Sequence, residues 1–304
     1  MKNHWRGVYP ALTTQFHKNL SLDLDTTQRH IEVLLAAGST GLVMLGSLGE
    51  NVTLDRSEKR RVMRAAIEAA AGRVPVLSGV AETSTASAMA YARELERLGA
   101  NGLLLLPAMV YKADPRETLT HYRSVAHATG LPIICYNNPI AYHVDITPAM
   151  FAELARENNL IGIKESSGDP RRFTDIQNLV GDRFRLFAGI DDLVLESVLL
   201  GATGWIAGLN LAFPREGQRL WELMQRGEWT AARKLYRWFM PLMHLDTHVK
   251  FVQYIKLAVQ EAGYGTEWVR PPRLPLIGKE RSDVLKIIRK GLASRPSLKR
   301  RKIP

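Results

Sequence analysis

A single cysteine, Cys135, is all that the 304-residue chain carries, which excludes an internal disulfide and fits a reducing compartment. It lies in the apolar run 132–136, where a buried inert thiol is the simpler reading than a nucleophile. Long apolar stretches are missing too. Runs such as 102–110 fall far below the roughly 18 residues a membrane span needs, and the polar opening Met1-Lys2-Asn3-His4-Trp5-Arg6 lacks a signal-peptide core. A cytoplasmic protein is predicted. No Gly-x-Gly-x-x-Gly follows the first apolar segment, which removes the usual dinucleotide-binding loop.

Acidic residues are scarce only at one end. The net charge is +11, yet residues 281–304 hold nine Lys or Arg against the single acid Asp283, and the remaining 280 residues carry 32 basic and 29 acidic groups. The excess is therefore concentrated near the C-terminus, with Pro296 and Pro304 and no apolar periodicity after Leu292. A solvated basic tail over 293–304 accounts for it; a nucleic-acid-binding arm is the rival, and no aromatic residue is interleaved there to support one.

What the chain does have is a repeat. Ala37-Gly38-Ser39-Thr40-Gly41, Leu98-Gly99-Ala100-Asn101-Gly102 and Leu200-Gly201-Ala202-Thr203-Gly204 each precede a short apolar run. Each reads as a helix end, a glycine at the left-handed position, a link and a buried strand. Completing the pattern gives eight strands, at 8–12, 42–45, 74–80, 103–106, 132–136, 160–165, 184–188 and 205–207. Between and after them lie helices at 25–37, 55–71, 84–98, 115–128, 147–157, 170–179, 192–199 and 214–226. Near-continuous apolar strands alternating with helices predict a parallel sheet, and eight units predict a closed (β/α)8 TIM barrel over residues 1–226. Helices at 228–242, 249–262 and 279–292, broken at Pro271-Pro272, form a C-terminal extension over 227–292, expected to pack on the barrel rather than to make a second catalytic domain.

In such a barrel the site lies at the carboxyl ends of the strands. The sixth strand ends in Lys164. Ile161 and Ile163 share one face, Gly162 and Lys164 the other, so a buried strand spends an inward position on an ammonium. A strand-end lysine that reaches water or a carboxylate is the plain reading; a desolvated amine that attacks a carbonyl is the functional one. Tyr136 ends the adjacent fifth strand, within reach as a proton relay. Gly46-Ser47-Leu48-Gly49-Glu50 after the second strand offers amide groups for a carboxylate. Asp191-Asp192 could seat a magnesium ion or serve as helix cap and dipole partners. His244 and His248 have zinc spacing but no evident third ligand. Ser166-Ser167-Gly168-Asp169 reads as capping.

Taken in order, Gly46-Ser47-Leu48-Gly49-Glu50, Tyr136-Asn137-Asn138-Pro139 and Gly162-Ile163-Lys164-Glu165-Ser166-Ser167-Gly168-Asp169 resemble the dihydrodipicolinate synthase and N-acetylneuraminate lyase superfamily over roughly residues 5–290. The resemblance implies a homotetramer that handles small 2-oxo acids through a lysine Schiff base, with neither metal nor organic cofactor. It makes Lys164 the imine-forming lysine and Tyr136 the relay. Ser47 and the Leu48 amide would bind the substrate carboxylate, and Gly189 and the Ile206 backbone would line the pocket.

Three departures stand out. Ser47-Leu48 replaces the synthases' threonine pair, their interface tyrosine falls near Met109 with Tyr111 close by, and the arginine for a second carboxylate falls at about Ala141. The stretch 136–145 resembles the branch acting on hydroxylated 2-oxo acids or cyclic imines, most of all the 1-pyrroline-4-hydroxy-2-carboxylate deaminases of hydroxyproline breakdown. There His143 would contact the substrate hydroxyl, or else make a structural hydrogen bond. The alternatives are a 2-keto-3-deoxy sugar acid dehydratase or aldolase, a 4-hydroxy-tetrahydrodipicolinate synthase-like condensation and, outside enzymes, a basic RNA-binding or regulatory barrel.

Overall fold

The computed structural model describes residues 5–108 and 110–298. Eight parallel strands run in the order β1(Gly7–Pro10), β2(Leu42–Met44), β3(Val76–Val80), β4(Gly102–Leu105), β5(Ile133–Asn137), β6(Leu160–Glu165), β7(Arg185–Ala188) and β8(Gly204–Ala207). From β2 to β8 each strand pairs with the next, and β8 pairs with β1. The seam between β1 and β2 is joined by the Ala11–Val43 bridge and by Leu12 N–H donating to Val43 O at 2.8 Å. The result is the predicted (β/α)8 barrel.

The covering helices are α1(Leu24–Ala36), α2(Arg56–Ala70), α3(Thr85–Leu98), α4(Pro115–Ala128), α5(Pro139–Tyr142), α6(Pro148–Leu154), α7(Arg171–Val180), α8(Val194–Leu199) and α9(Pro214–Gln225). Their starts follow from local chemistry. Asp55 with Glu58, and Asp114 with Glu117, form capping boxes that satisfy the free amides of the first turn. Gly38, Gly99 and Gly201, the glycines of the repeat, all have positive φ.

Inside the barrel, aromatic rings fill space left by glycines. A Cβ on Gly41 would lie 2.0 Å from the Tyr9 ring and one on Gly204 2.3 Å from the Phe187 ring. Tyr9 and Phe187 meet edge-on at 5.4 Å, a favoured aromatic geometry. This layer is the floor beneath the carboxyl-end mouth.

The extension consists of α10(Trp229–Met243), α11(Phe251–Glu261) and α12(Gly278–Ala293), and two of its features were not foreseen from the sequence. It is wired into the barrel by buried charge: Lys256 on α11 is fully buried and donates to Glu50 Oε1 and to Thr14 O, each at 2.8 Å. In addition, the segment between α10 and α11 hangs over the barrel mouth. Two residues of the 293–304 stretch make contacts with the helices and the barrel. Ser294 accepts from Trp238 Nε1 at 3.1 Å, and Arg295 bonds Ala212 O at 3.0 Å while its guanidinium sits on the Phe213 ring. Residues 299–304, which carry most of the remaining basic charge, lie outside the described residues.

Candidate active site

The register of the sheet brings the two main candidates together. Tyr136 on β5 is the lateral partner of Lys164 on β6, so both side chains point into the barrel at the same level. Lys164 Nζ sits 4.0 Å from the centroid of the Tyr136 ring. Among the described residues, no carboxylate forms an ion pair with this amine and no hydrogen bond holds it. Burial lowers its pKa from the usual lysine value, against the opposing pull of Asp246, Tyr142 and Asp191. Desolvation wins because an ammonium loses its water here without gaining a contact ion pair. Burial in turn raises the Tyr136 phenol, with the Asn138 amide partly offsetting it through a 3.1 Å bond to the phenol oxygen. Tyr136 rests as a proton donor.

These groups open into a cavity of about 570 Å³ at the carboxyl ends of the strands. Ser47, Leu48, His143 and Gly189 line it, as the sequence reading expects. Ile206 does not: it is buried within β8, opposite Tyr9, and Gly208 two residues later lines the wall instead. Gly189 has a specific reason to lack a side chain, since a Cβ there would lie 2.1 Å from Ser166 Oγ and 2.8 Å from Lys164 Cγ. His143 closes the single turn of α5 with positive φ and is exposed on its solvent side. A larger cavity, about 990 Å³, lies at the opposite mouth, lined by Arg73, Arg183 and Arg185 but by no lysine or histidine. Its size is outweighed by the absence of a nucleophile among the described residues.

Sequence reasoning missed two groups in the main cavity. The first is Tyr142. Asn138 caps α5 by accepting from Ala141 N at 3.0 Å, and Asn137 fixes the following segment through Ile146 N at 2.9 Å. This places Tyr142 edge-on to Tyr136 at 5.6 Å and in a short hydrogen bond with Ser47 Oγ. A phenol of the chain itself therefore meets the anion loop. Tyr111, the other tyrosine considered, is exposed and donates to Glu117 Oε1 at 2.7 Å, and Met109 lies outside the described residues.

The second is Asp246, which lines the cavity from the segment between α10 and α11. It sits inside the sequence stretch whose histidines suggested zinc, and of these His248 also lines the cavity. His244 Nδ1 contacts Asp192 Oδ2 at 2.7 Å and His248 stacks on Tyr254. Asp191 is neither cap nor metal site but a buried anchor. Its carboxylate accepts from Trp205 Nε1 at 2.8 Å and from the amides of Gly208 and Leu209, which holds the turn after β8. The anion loop is likewise anchored from behind, because Glu50, at φ 53, turns its carboxylate to Lys256 and to the Arg270 amide.

Comparison with known proteins matches residues 4–291 to the dihydrodipicolinate synthetase family. The chain belongs to that family. Its relatives include the 4-hydroxy-tetrahydrodipicolinate synthases of Methanospirillum hungatei, 34% identical over 90% of this chain and 93% of that one, and of Exiguobacterium sibiricum, 34% identical over 90% and 92%. Among solved structures, a dihydrodipicolinate synthase from Bacillus anthracis superposes with a TM-score of 0.90 at 26% identity, covering 97% of this chain and 99% of that one. The Acinetobacter baumannii enzyme, solved with pyruvate, gives 0.90 at 25% identity over 94% and 98%. Family members are class I lyases and aldolases that work through a lysine Schiff base, and this chain is an enzyme of that type. No described helix is long and apolar enough to cross a membrane.

Proposed function

We propose that Lys164 forms the Schiff base and that the substrate is a compact hydroxylated 2-oxo acid presented as its ring imine, 1-pyrroline-4-hydroxy-2-carboxylate, which leaves as 2-oxoglutarate semialdehyde and ammonia. The observation that carries the first part is the unpaired, desolvated amine 4.0 Å from the Tyr136 ring at a barrel mouth. The second part is supported by two departures from the synthases, an apolar Leu48 and no guanidinium at Ala141, in a cavity whose wall carries the Tyr136 and Tyr142 phenols, the Asp246 carboxyl and, elsewhere on it, Arg273.

The carboxylate of the substrate binds Ser47 Oγ and the Leu48 amide. Lys164 adds to C2 as a free amine, and Tyr136 gives its proton to the ring nitrogen. Proton transfer from the lysine nitrogen lets that ring nitrogen leave as an amine, opening the ring to an iminium on Lys164. The Tyr136 phenolate then takes a C3 proton, which the iminium has acidified, and the resulting enamine expels the C4 hydroxyl as water. A proton shift from C5 and hydrolysis at C5 release ammonia, and hydrolysis at C2 frees Lys164. The molecule works as a homotetramer, which light scattering tests, and needs no metal or organic cofactor.

A second reading has its own support in the relatives' activity: condensation of the 4-hydroxy-tetrahydrodipicolinate synthase kind. Borohydride reduction in the presence of pyruvate tests the shared step by mass shift on the Lys164 peptide; an unmodified peptide overturns both readings. Ammonia release from the ring imine, measured against pyruvate consumption with aspartate semialdehyde, separates them. Ammonia release alone is the expected result, and condensation alone overturns the deaminase.

A further inference from the structure

The elimination proposed above leaves one proton to be supplied, since hydroxide is a poor leaving group and must depart as water. Tyr136 has by then regained a proton from C3, and C3 needs that proton back when the product's methylene is restored. An acid facing C4 from elsewhere in the cavity would supply the leaving hydroxyl without spending it.

The cavity offers one carboxyl in that position. Asp246 ends a short 3-10 turn, His244–Asp246, that follows α10, and its side chain lines the cavity together with Lys164, Tyr136 and Ser47. It is packed against the turn after β8 so closely that a Cβ on Gly208 would come within 2.3 Å of Asp246 Oδ1. Among the described residues its carboxyl makes no hydrogen bond and no ion pair. The carboxyl is half-buried on the cavity wall, open to whatever occupies the cavity. It contrasts with Asp191 close by, whose oxygens are consumed by Trp205, Gly208 and Leu209. One acid is built in as an anchor, the other is left facing the cavity.

We infer that Asp246 is the acid of the elimination step: its carboxyl gives a proton to the C4 hydroxyl as the enamine on Lys164 expels it, and the carboxylate then takes the C5 proton. The balance closes. The C4–O bond breaks with its electron pair, water forms with the Asp246 proton, the enamine pair moves into a C3–C4 double bond, and loss of a C5 proton to Asp246 restores the acid. The groups that face Asp246 agree with this assignment. Burial, Asp191 and Asp192 hold its carboxyl well above the usual carboxylate range, against the pull of Lys164. Tyr142, His248 and Arg273 line the same cavity, while His244 is held off by Asp192. The inference rests on the Schiff-base elimination reading and holds for a 2-keto-3-deoxy sugar acid that loses its C4 hydroxyl as well as for the ring imine.

The test compares wild type with Asp246→Asn and Asp246→Glu. Two signals are read: exchange of the pyruvate methyl protons in D2O, which needs only Lys164 and Tyr136, and elimination from the ring imine or from 2-keto-3-deoxyarabonate. Asp246→Asn is expected to keep methyl exchange within about threefold of wild type and to lose about 10² to 10³-fold in elimination kcat. It should also lose the alkaline limb of the wild-type pH profile, where activity falls as the acid deprotonates. Asp246→Glu is expected to recover part of the rate. Equal loss of exchange and elimination assigns Asp246 a structural role and overturns the inference, as does unchanged elimination. Wild type that exchanges pyruvate protons but eliminates from neither substrate overturns the proposed function along with it.

Discussion

The Ser47–Tyr142 contact is the most telling single bond in the site, because it joins residues far apart in sequence and puts a phenol on the loop expected to hold the substrate carboxylate. With Tyr136 edge-on beside it, two phenols of one chain lie between the loop and the Lys164 amine. Tyr136→Phe is expected to keep borohydride trapping of Lys164 while slowing turnover about 10² to 10³-fold, the range for a lost proton relay. Ser47→Ala and Tyr142→Phe should each lower kcat/KM, and the double variant should lose less than the sum, because both remove the same bond. Steady-state kinetics of the four proteins check this; strict additivity would separate the two residues. Strand ends alone pointed to Lys164, Tyr136 and the Gly46–Glu50 loop as neighbours at the mouth, while the choice between a plain strand-end lysine and a nucleophile waited on the family resemblance. Tyr142 was not, because its place depends on a one-turn helix too short to show a period, and Asp246 was not, because only the fold brings its segment over the mouth.

Among the elements, α11 shows most clearly what the sequence hid about the extension. Its period and apolar face were readable, but a buried Lys256 in the middle of an apolar helix has no meaning until Glu50 is placed opposite it. That pair ties α11 to the back of the anion loop, and Arg270 adds an amide to the same carboxylate. Removing one partner strands the other charge in the interior, whereas removing both leaves no charge to strand. Lys256→Met and Glu50→Gln should therefore each cost about 3–5 kcal/mol of stability in chemical denaturation, with the double variant closer to wild type than either single one. Since the loop is held from behind by this pair, the single variants should also raise KM for the 2-oxo acid.

For the whole barrel, the weakest point under acid is the place where the first and last units meet. His30 on α1 is fully enclosed, its Nε2 lies 2.9 Å from Leu211 O in the turn after β8, and its Nδ1 has no partner among the described residues. Burial pushes its pKa down to about 4 from 6.5. The unfolded chain therefore binds a proton below pH 6.5 that the native state refuses until about pH 4, so stability is complete above 6.5 and declines as pH falls through that window. The full difference is worth about 3 kcal/mol. His121, also held down by burial, adds a loss in the same direction. The carboxylates of Asp23, Glu58 and Asp145 sit below their usual values because of hydrogen bonds and nearby cations, so their contribution is lost only at lower pH and the two effects can be told apart. His30→Gln, which can keep a donor near Leu211 O, should flatten the decline between pH 6.5 and 4 by about half or more while leaving the steeper fall below pH 4 in place. Urea denaturation at pH 7, 5.5 and 4.5 measures this directly, and an unchanged slope in the variant would move the acid sensitivity away from the barrel seam.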